Sequence, residues 1–323
     1  MKKTGLLSGE HSAFAEQLLV RLQQLAPGQV AENILLSHLL DREPVTYEAI
    51  IDLMSPRIPF YRWYLKQAAL QGVAVCNNPF LMDIVQEWTA LQLAQKLAIA
   101  TPRTAILPSW EKPQSVPDRA FGNLSFPLDW QNIFEYVGFP ALMMPAHEPP
   151  DESNTHFIAD EKAFYRLHPL TGTRVMMLQQ KLTWQAYYRC FAIGKEARVI
   201  AYHPGLPAHQ RYQADFPITA ARLEEITAKA RKIQAFLGYD FQVSEWAVVD
   251  NQLYAVRLAQ PFHEGFLTTL PDAVQNWICD SIAQTIARLL EQIQPQQDNL
   301  NWGQWPLASI QRRAFWNWSF IPV

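Results

Sequence analysis

The chain has 323 residues, 49% of them hydrophobic and 18% charged, with a formal net charge of -3 at pH 7. That length supports several packed layers around a sizeable core, and the near-neutral balance argues against nucleic acid as a partner and against a disordered acidic tail. Helix-period and short apolar segments alternate along it, the pattern of a mixed α/β protein. A short strand at Thr4–Ser8 precedes an amphipathic helix at 12–25; "YEAIIDLM" predicts a strand, "IPFYRWYLKQAALQG" a helix closed by Gly72, and "VAVCN" a buried strand. A helix from Phe80 to Leu97 and a strand "TPRTAIL" come next, followed by a Pro-rich connection at 108–127 that predicts a boundary or lid. Helix "DWQNIFEYV", strand "ALMMP", strand "HFIAD" and a helix at Glu161–Leu167 lead to three β runs, "RVMMLQQKL", "AYYRCFAIG" and "EARVIAYHP". The periodicity then predicts a long helix over 220–238, with Leu223, Ile226, Ala230, Ile233 and Phe236 on one face. A hairpin follows, "FQVSEWAVV" and "LYAVRLAQ" joined through Asp250, Asn251 and Gln252, and a helix over 272–293 precedes a Trp-rich tail.

Cys76, Cys190 and Cys279 are odd in number and widely spaced, which predicts reduced, buried thiols and no disulfide framework. The opening "MKKTGLLSGEHSAF" has too short an apolar run for a secretion signal, and no segment approaches the ~20 apolar residues of a membrane span. A cytoplasmic protein without membrane contact is expected. His203 and His209 sit on a loop without an acidic neighbour at ligand spacing, and structural roles suit them best.

The segments "VAVCNNPF", "ATPRTAILP", "PLDWQNIFEYVGFPALMMP", "LQQKLTWQAYYRCFAIG" and "FLGYDFQVSEWAVVDNQLYAVRLAQP", in that order, resemble the ATP-grasp superfamily across most of the chain, and a bacterial branch of it in particular. The resemblance implies an α+β fold: an N-terminal αβ domain at 1–80, a helix and first ATP-grasp lobe at 81–182, a second lobe at 183–294, and the Trp-rich tail at 295–323. It also implies ATP held between two antiparallel sheets. Lysines and a glycine-rich loop would bind the phosphates, acids and an asparagine would bind magnesium, and an acyl phosphate would be attacked by an amine or thiol. Triphosphate needs positive charge around it, and magnesium needs hard oxygen ligands.

At the matched positions this sequence departs from the family pattern. Met144 stands where the family strand ends in lysine, and Glu87, or Trp88 one place on, stands where the other phosphate-side lysine would be. The loop "AHEPPDESNTH" has no glycine, two prolines and several acids, a poor cradle for phosphate. Glu245 matches one acidic metal ligand, Arg257 (or Leu258 in a shifted frame) takes the place of the second, and Gln260 replaces the asparagine. Gln179, Gln180, Lys181 and Leu182 match the hinge facing adenine. Arg189 and Arg211 match arginines near phosphate or substrate.

The resemblance so altered implies a degenerate ATP-grasp homologue that binds or regulates without catalysis. The alternative is an active ATP-dependent carboxylate–amine ligase working with substitute residues. No cofactor is expected under the first reading, and ATP and magnesium enter only under the second. A small acidic metabolite could be met by Arg189 and Arg211. Trp302, Trp305, Trp316 and Trp318 in the tail form either core or a surface for a protein partner or self-association. A hairpin turn centred on Asn251 would set Glu245 opposite Arg257 as an internal ion pair in place of the metal.

Overall fold

The computed structural model describes residues 2–9, 12–84, 86–147, 153–212, 216–267, 269–293 and 298–304. They form two compact units: Met1–Val85 with Tyr188–Ser244 and Pro261–Val323, and Gln86–Tyr187 with Glu245–Gln260. No helix among the described residues is long and apolar enough to cross a membrane.

The N-terminal stretch runs β1 (Lys2–Leu7), α1 (Ala13–Leu25), β2 (Gln29–Asn33), β3 (Ala49–Asp52), α2 (Pro59–Leu70), β4 (Ala74–Cys76) and the single turn α3 (Leu81–Ile84). Its strands make a parallel sheet in the order β2-β1-β3-β4. Helix α1 starts at Ser12, whose Oγ accepts from the Ala15 amide, and α2 starts with Pro59, whose fixed φ suits a first turn. Strand β2 carries "QVAEN", half-exposed at every position, and so has no apolar alternation by which the sequence could announce it. It is an edge strand, recruited by its pairing with β1.

The second unit begins with α4 (Glu87–Lys96), β5 (Thr104–Leu107), α5 (Trp130–Val137), β6 (Ala141–Pro145), β7 (His156–Ile158), α6 (Glu161–Leu167) and β8 (Met176–Gln180). The helix expected over 80–97 is in fact two, because Gln86 is extended (φ -97°, ψ 167°) and restarts the chain as the N-cap of α4. That break places Glu87 in a first turn, where a carboxylate is favoured by the free amides. The sheet order is β5-β8-β6-β7, antiparallel throughout. Leu107, Phe134, Val137, Met143, Phe164 and Leu178 pack on one of its faces. The Pro-rich connection is largely exposed and holds one short 3-10 turn, Asp118–Phe121.

The chain continues through β9 (Ala186–Ile193), β10 (Glu196–Ala201), α7 (Ala220–Leu237), β11 (Phe241–Val249), β12 (Gln252–Pro261) and α8 (Asp272–Gln292), with sheet order β10-β9-β11-β12. Helix α7 is capped by Thr219 and closed by Gly238 in the left-handed region. It buries Ile226, Ala230, Ile233 and Leu237, while Leu223, expected on that face, is exposed. In the first unit Leu6, Phe14, Leu18, Phe191, Val243, Ile278 and Ile282 share one core, to which α1 and α8 both contribute. All three cysteines are buried free thiols, as expected.

Candidate functional site

In the second unit the residues matched to the phosphate and metal positions come together. Met144 on β6 is fully buried opposite Met177 on β8, and the two pack with Ala146 and half-buried Trp88. The Met144 sulfur accepts a hydrogen bond from Arg257 Nη1 at 3.0 Å. Glu87 is also buried, and its two oxygens accept from the Leu258 and Ala259 amides at 2.8 and 3.1 Å. Successive amides of a regular strand point to opposite edges, so two of them reaching one carboxylate mark an irregular end to β12. Burial pushes the Glu87 carboxyl above its usual range, against the pull of Arg257 and the two amides, and Glu245 adds to the push. The position matched to a lysine thus holds an acid, and the position matched to an acid holds the arginine that offsets it.

Glu245 accepts from the Tyr187 hydroxyl through Oε2 at 2.7 Å. Tyr187 escaped the sequence reading, and its only signal was a polar tip two residues before Arg189 on one strand. The turn explains why Glu245 and Arg257 are not set as expected. Asp250 and Asn251 both have positive φ (47° and 62°), the signature of a two-residue hairpin loop, so Val249 pairs with Gln252 and the register moves by one from an Asn251-centred count. Trp246 then lies opposite Ala255 and Val248 opposite Leu253, and buried Trp246, Ala255 and Leu253 share a face. The Ala255 amide is correspondingly turned outward, to the Ala100 carbonyl at 2.8 Å.

As a magnesium site this donor set fits poorly. Both Glu87 oxygens are spent on amides, Glu245 is held by Tyr187, and Arg257 adds positive charge in the same neighbourhood. No group of three or more His, Cys, Asp or Glu side chains able to hold a metal occurs among the described residues. Gln260 Oε1 is different: it is buried without a hydrogen-bond partner.

The hinge residues are only partly available. Gln179 is buried and donates to Thr104 Oγ1 at 3.2 Å, and the Gln180 side chain accepts from Arg103 at 3.4 Å. Lys181 donates its amide to the Pro140 carbonyl and places its ammonium 5.7 Å from the Phe157 ring, and Leu182 is half-buried after the end of β8. Residues 148–152 of the loop matched to the family's glycine-rich phosphate loop lie outside the described residues.

In the first unit Arg189 on β9 is buried among aromatic rings. Its guanidinium lies 3.7 Å from the Tyr202 ring centroid and 5.2 Å from that of Phe266, and it donates to the Tyr212 hydroxyl at 2.5 Å. Arg211 is tied to its own loop, donating to the Leu206 carbonyl at 2.8 Å. Of that pair, Arg189 is joined to Tyr212, the chain neighbour of Arg211. His263 lies near Arg189 and Arg57, and burial followed by these two cations pulls its pKa down to about 4, so it is neutral at pH 7. The imidazole instead accepts the Gly265 amide on Nδ1.

No family model matches the sequence, and no curated protein sequence matches it. Solved structures do. The chain is similar to a RimK-domain ATP-grasp protein from Sphaerobacter thermophilus (TM-score 0.61, 15% identity, covering 88% of this chain and 99% of that one). It is similar to D-alanine–D-alanine ligase from Bacillus anthracis complexed with ATP (0.57, 12%, 90% and 99%) and to the macrocyclase MdnC from Microcystis aeruginosa bound with its precursor peptide MdnA (0.54, 12%, 90% and 100%). At these identities the likeness speaks for architecture alone, and it spans nearly the whole of each chain: this protein has the ATP-grasp fold.

Proposed function

We propose that this chain is a non-catalytic binding or regulatory protein built on the ATP-grasp fold, with impaired MgATP binding. The observation that carries the reading is the Glu87–Arg257–Met144 cluster, in which the charges expected around a phosphate and its metal are exchanged and neutralised internally. A guanidinium about 4 Å from a divalent ion would oppose it by about 8 kcal/mol at an effective dielectric of 20, twice the unit-charge value. The ligand assigned to it is a small acidic molecule, met by Arg189 among its aromatic rings. The protein is placed in the cytoplasm. Association through the tail belongs to the same proposal; Trp305, Trp316 and Trp318 lie outside the described residues, while Trp302 stacks on Phe80 at 5.9 Å.

Calorimetric titration with MgATP and ADP, with thermal unfolding beside it, tests the reading. A ligand at a hundredfold excess over its Kd stabilises by ~2.7 kcal/mol, so a micromolar site cannot escape detection. Neither nucleotide should shift the transition, and micromolar affinity for MgATP overturns the proposal. The second reading, an active carboxylate–amine ligase with substitute residues, is favoured by Gln260 Oε1, a buried acceptor still in need of a donor or a cation. It requires nucleotide-dependent phosphate release.

A further inference from the structure

Within the first unit, and sharing no lining residue with the positions matched to nucleotide or substrate, the β9–β10 turn, α7 and Asn301 line an open pocket of about 500 Å³, a volume suited to a small molecule. Lys195 on the turn and Arg231 and Lys232 on α7 line it. None of the three has a hydrogen bond or ion pair to another described residue. The same helix neutralises its earlier cations, for Arg222 and Lys229 both reach Glu225, at 2.5 and 2.7 Å. The charge is therefore left open at one end of α7 and closed at the other.

The floor is polar and rigid. Asp240 accepts from Asn301 Nδ2 at 3.1 Å, its amide donates to Asn77 Oδ1 at 2.7 Å, and its carbonyl accepts from the Gly194 amide and from Gln234 Nε2, both at 2.8 Å. Asn301 is held in turn because the chain crosses the end of α7 at Gly238 and Gly303, where a Cβ on either would meet backbone at 2.6 Å. Gly194 is fixed as well, at φ +56° with Thr285 2.2 Å from where its Cβ would be. Lys195 is thereby presented from a turn whose preceding position admits only glycine.

We propose that this pocket is a binding site for a small phosphomonoester. Three cations against one carboxylate leave about two positive charges, which the phosphoryl dianion matches, and the second Nδ2 hydrogen of Asn301, beyond the one given to Asp240, offers a hydrogen bond to a hydroxylated body. The site does not depend on the proposed loss of MgATP binding, since it shares no residue with that cluster.

The test is calorimetric titration of the full chain with glucose 6-phosphate, inorganic phosphate and glucose at constant ionic strength. Glucose 6-phosphate should bind and glucose should not. Equal affinity for inorganic phosphate would identify free phosphate as the source of the recognised group; tighter binding of the sugar phosphate would identify the organic ester. Arg231→Ala and Lys195→Glu should each weaken binding about tenfold or more, the loss of one charge-assisted hydrogen bond, with unfolding unchanged. Arg189→Ala should leave it intact. Absence of binding at millimolar ligand overturns the proposal, and so does binding that survives both pocket variants or is lost with Arg189→Ala alone.

Discussion

Arg257 and Arg231 sit in different units and are used in opposite ways. Arg257 is half-buried, donates to a methionine sulfur and offsets the buried Glu87 carboxylate, so its charge is consumed inside the protein. Arg231 is exposed beside two lysines on a pocket whose floor holds a single acid, so its charge is available to something from outside. The lesson is that a guanidinium reports binding only when its surroundings leave it unspent. The position with the family resemblance carries the spent one.

The comparison is tested most severely at Arg257. Replacing it with alanine leaves Glu87 buried without its cation, and urea unfolding should show a loss of ~3–5 kcal/mol. The double change Arg257→Ala with Glu87→Gln should cost less than Arg257→Ala alone. If the single change is the milder one, the two side chains are not compensating each other.

Acid titration sharpens the same contrast within the first unit, at an intermediate size. His263, held down to about 4, keeps the fold's full benefit above its ordinary value of 6.5 and loses it as pH falls toward 4, because the unfolded chain takes up the proton first. Asp240 is raised to about 6 by burial, so its contribution is full below its ordinary 3.8 and is lost as pH rises through 6. The two oppose one another between pH 4 and 6. His263→Gln should therefore make stability rise on acidification in that window, and Asp240→Asn should make it fall more steeply, each by on the order of 2 kcal/mol. Parallel pH profiles for both variants would refute this.

The smallest effect belongs to the open pocket. Arg231→Ala should change unfolding stability by less than about 0.5 kcal/mol, since it removes no internal partner. A larger loss would mean that the guanidinium is spent after all.

Much of the architecture could be read from periodicity. The 12–25, 58–72 and 272–293 helices, the buried strands beginning at Ala74 and Ala141, and the caps at Gly72 and Gly238 all follow from local rules that hold wherever the segment lies. Failures occurred where pairing overrode pattern. Strand β2 is half-polar and exists because β1 offers it an edge; the 80–97 helix broke at Gln86, where α4 restarts and presents Glu87 to the end of β12.

The candidate site divides along the same line. That Met144 cannot hold a phosphate and that Arg257 cannot replace an acid follows from residue type, which no fold can change. What Arg257 compensates is another matter, because Glu87 precedes it by 170 positions and the hairpin was one residue short of the count that made Glu245 its partner. The open pocket lies still further from any local rule, for Lys195, Arg231 and Asn301 share no motif. Chemical identity is a property of each residue, whereas charge compensation falls off with distance, and only the tertiary fold sets those distances.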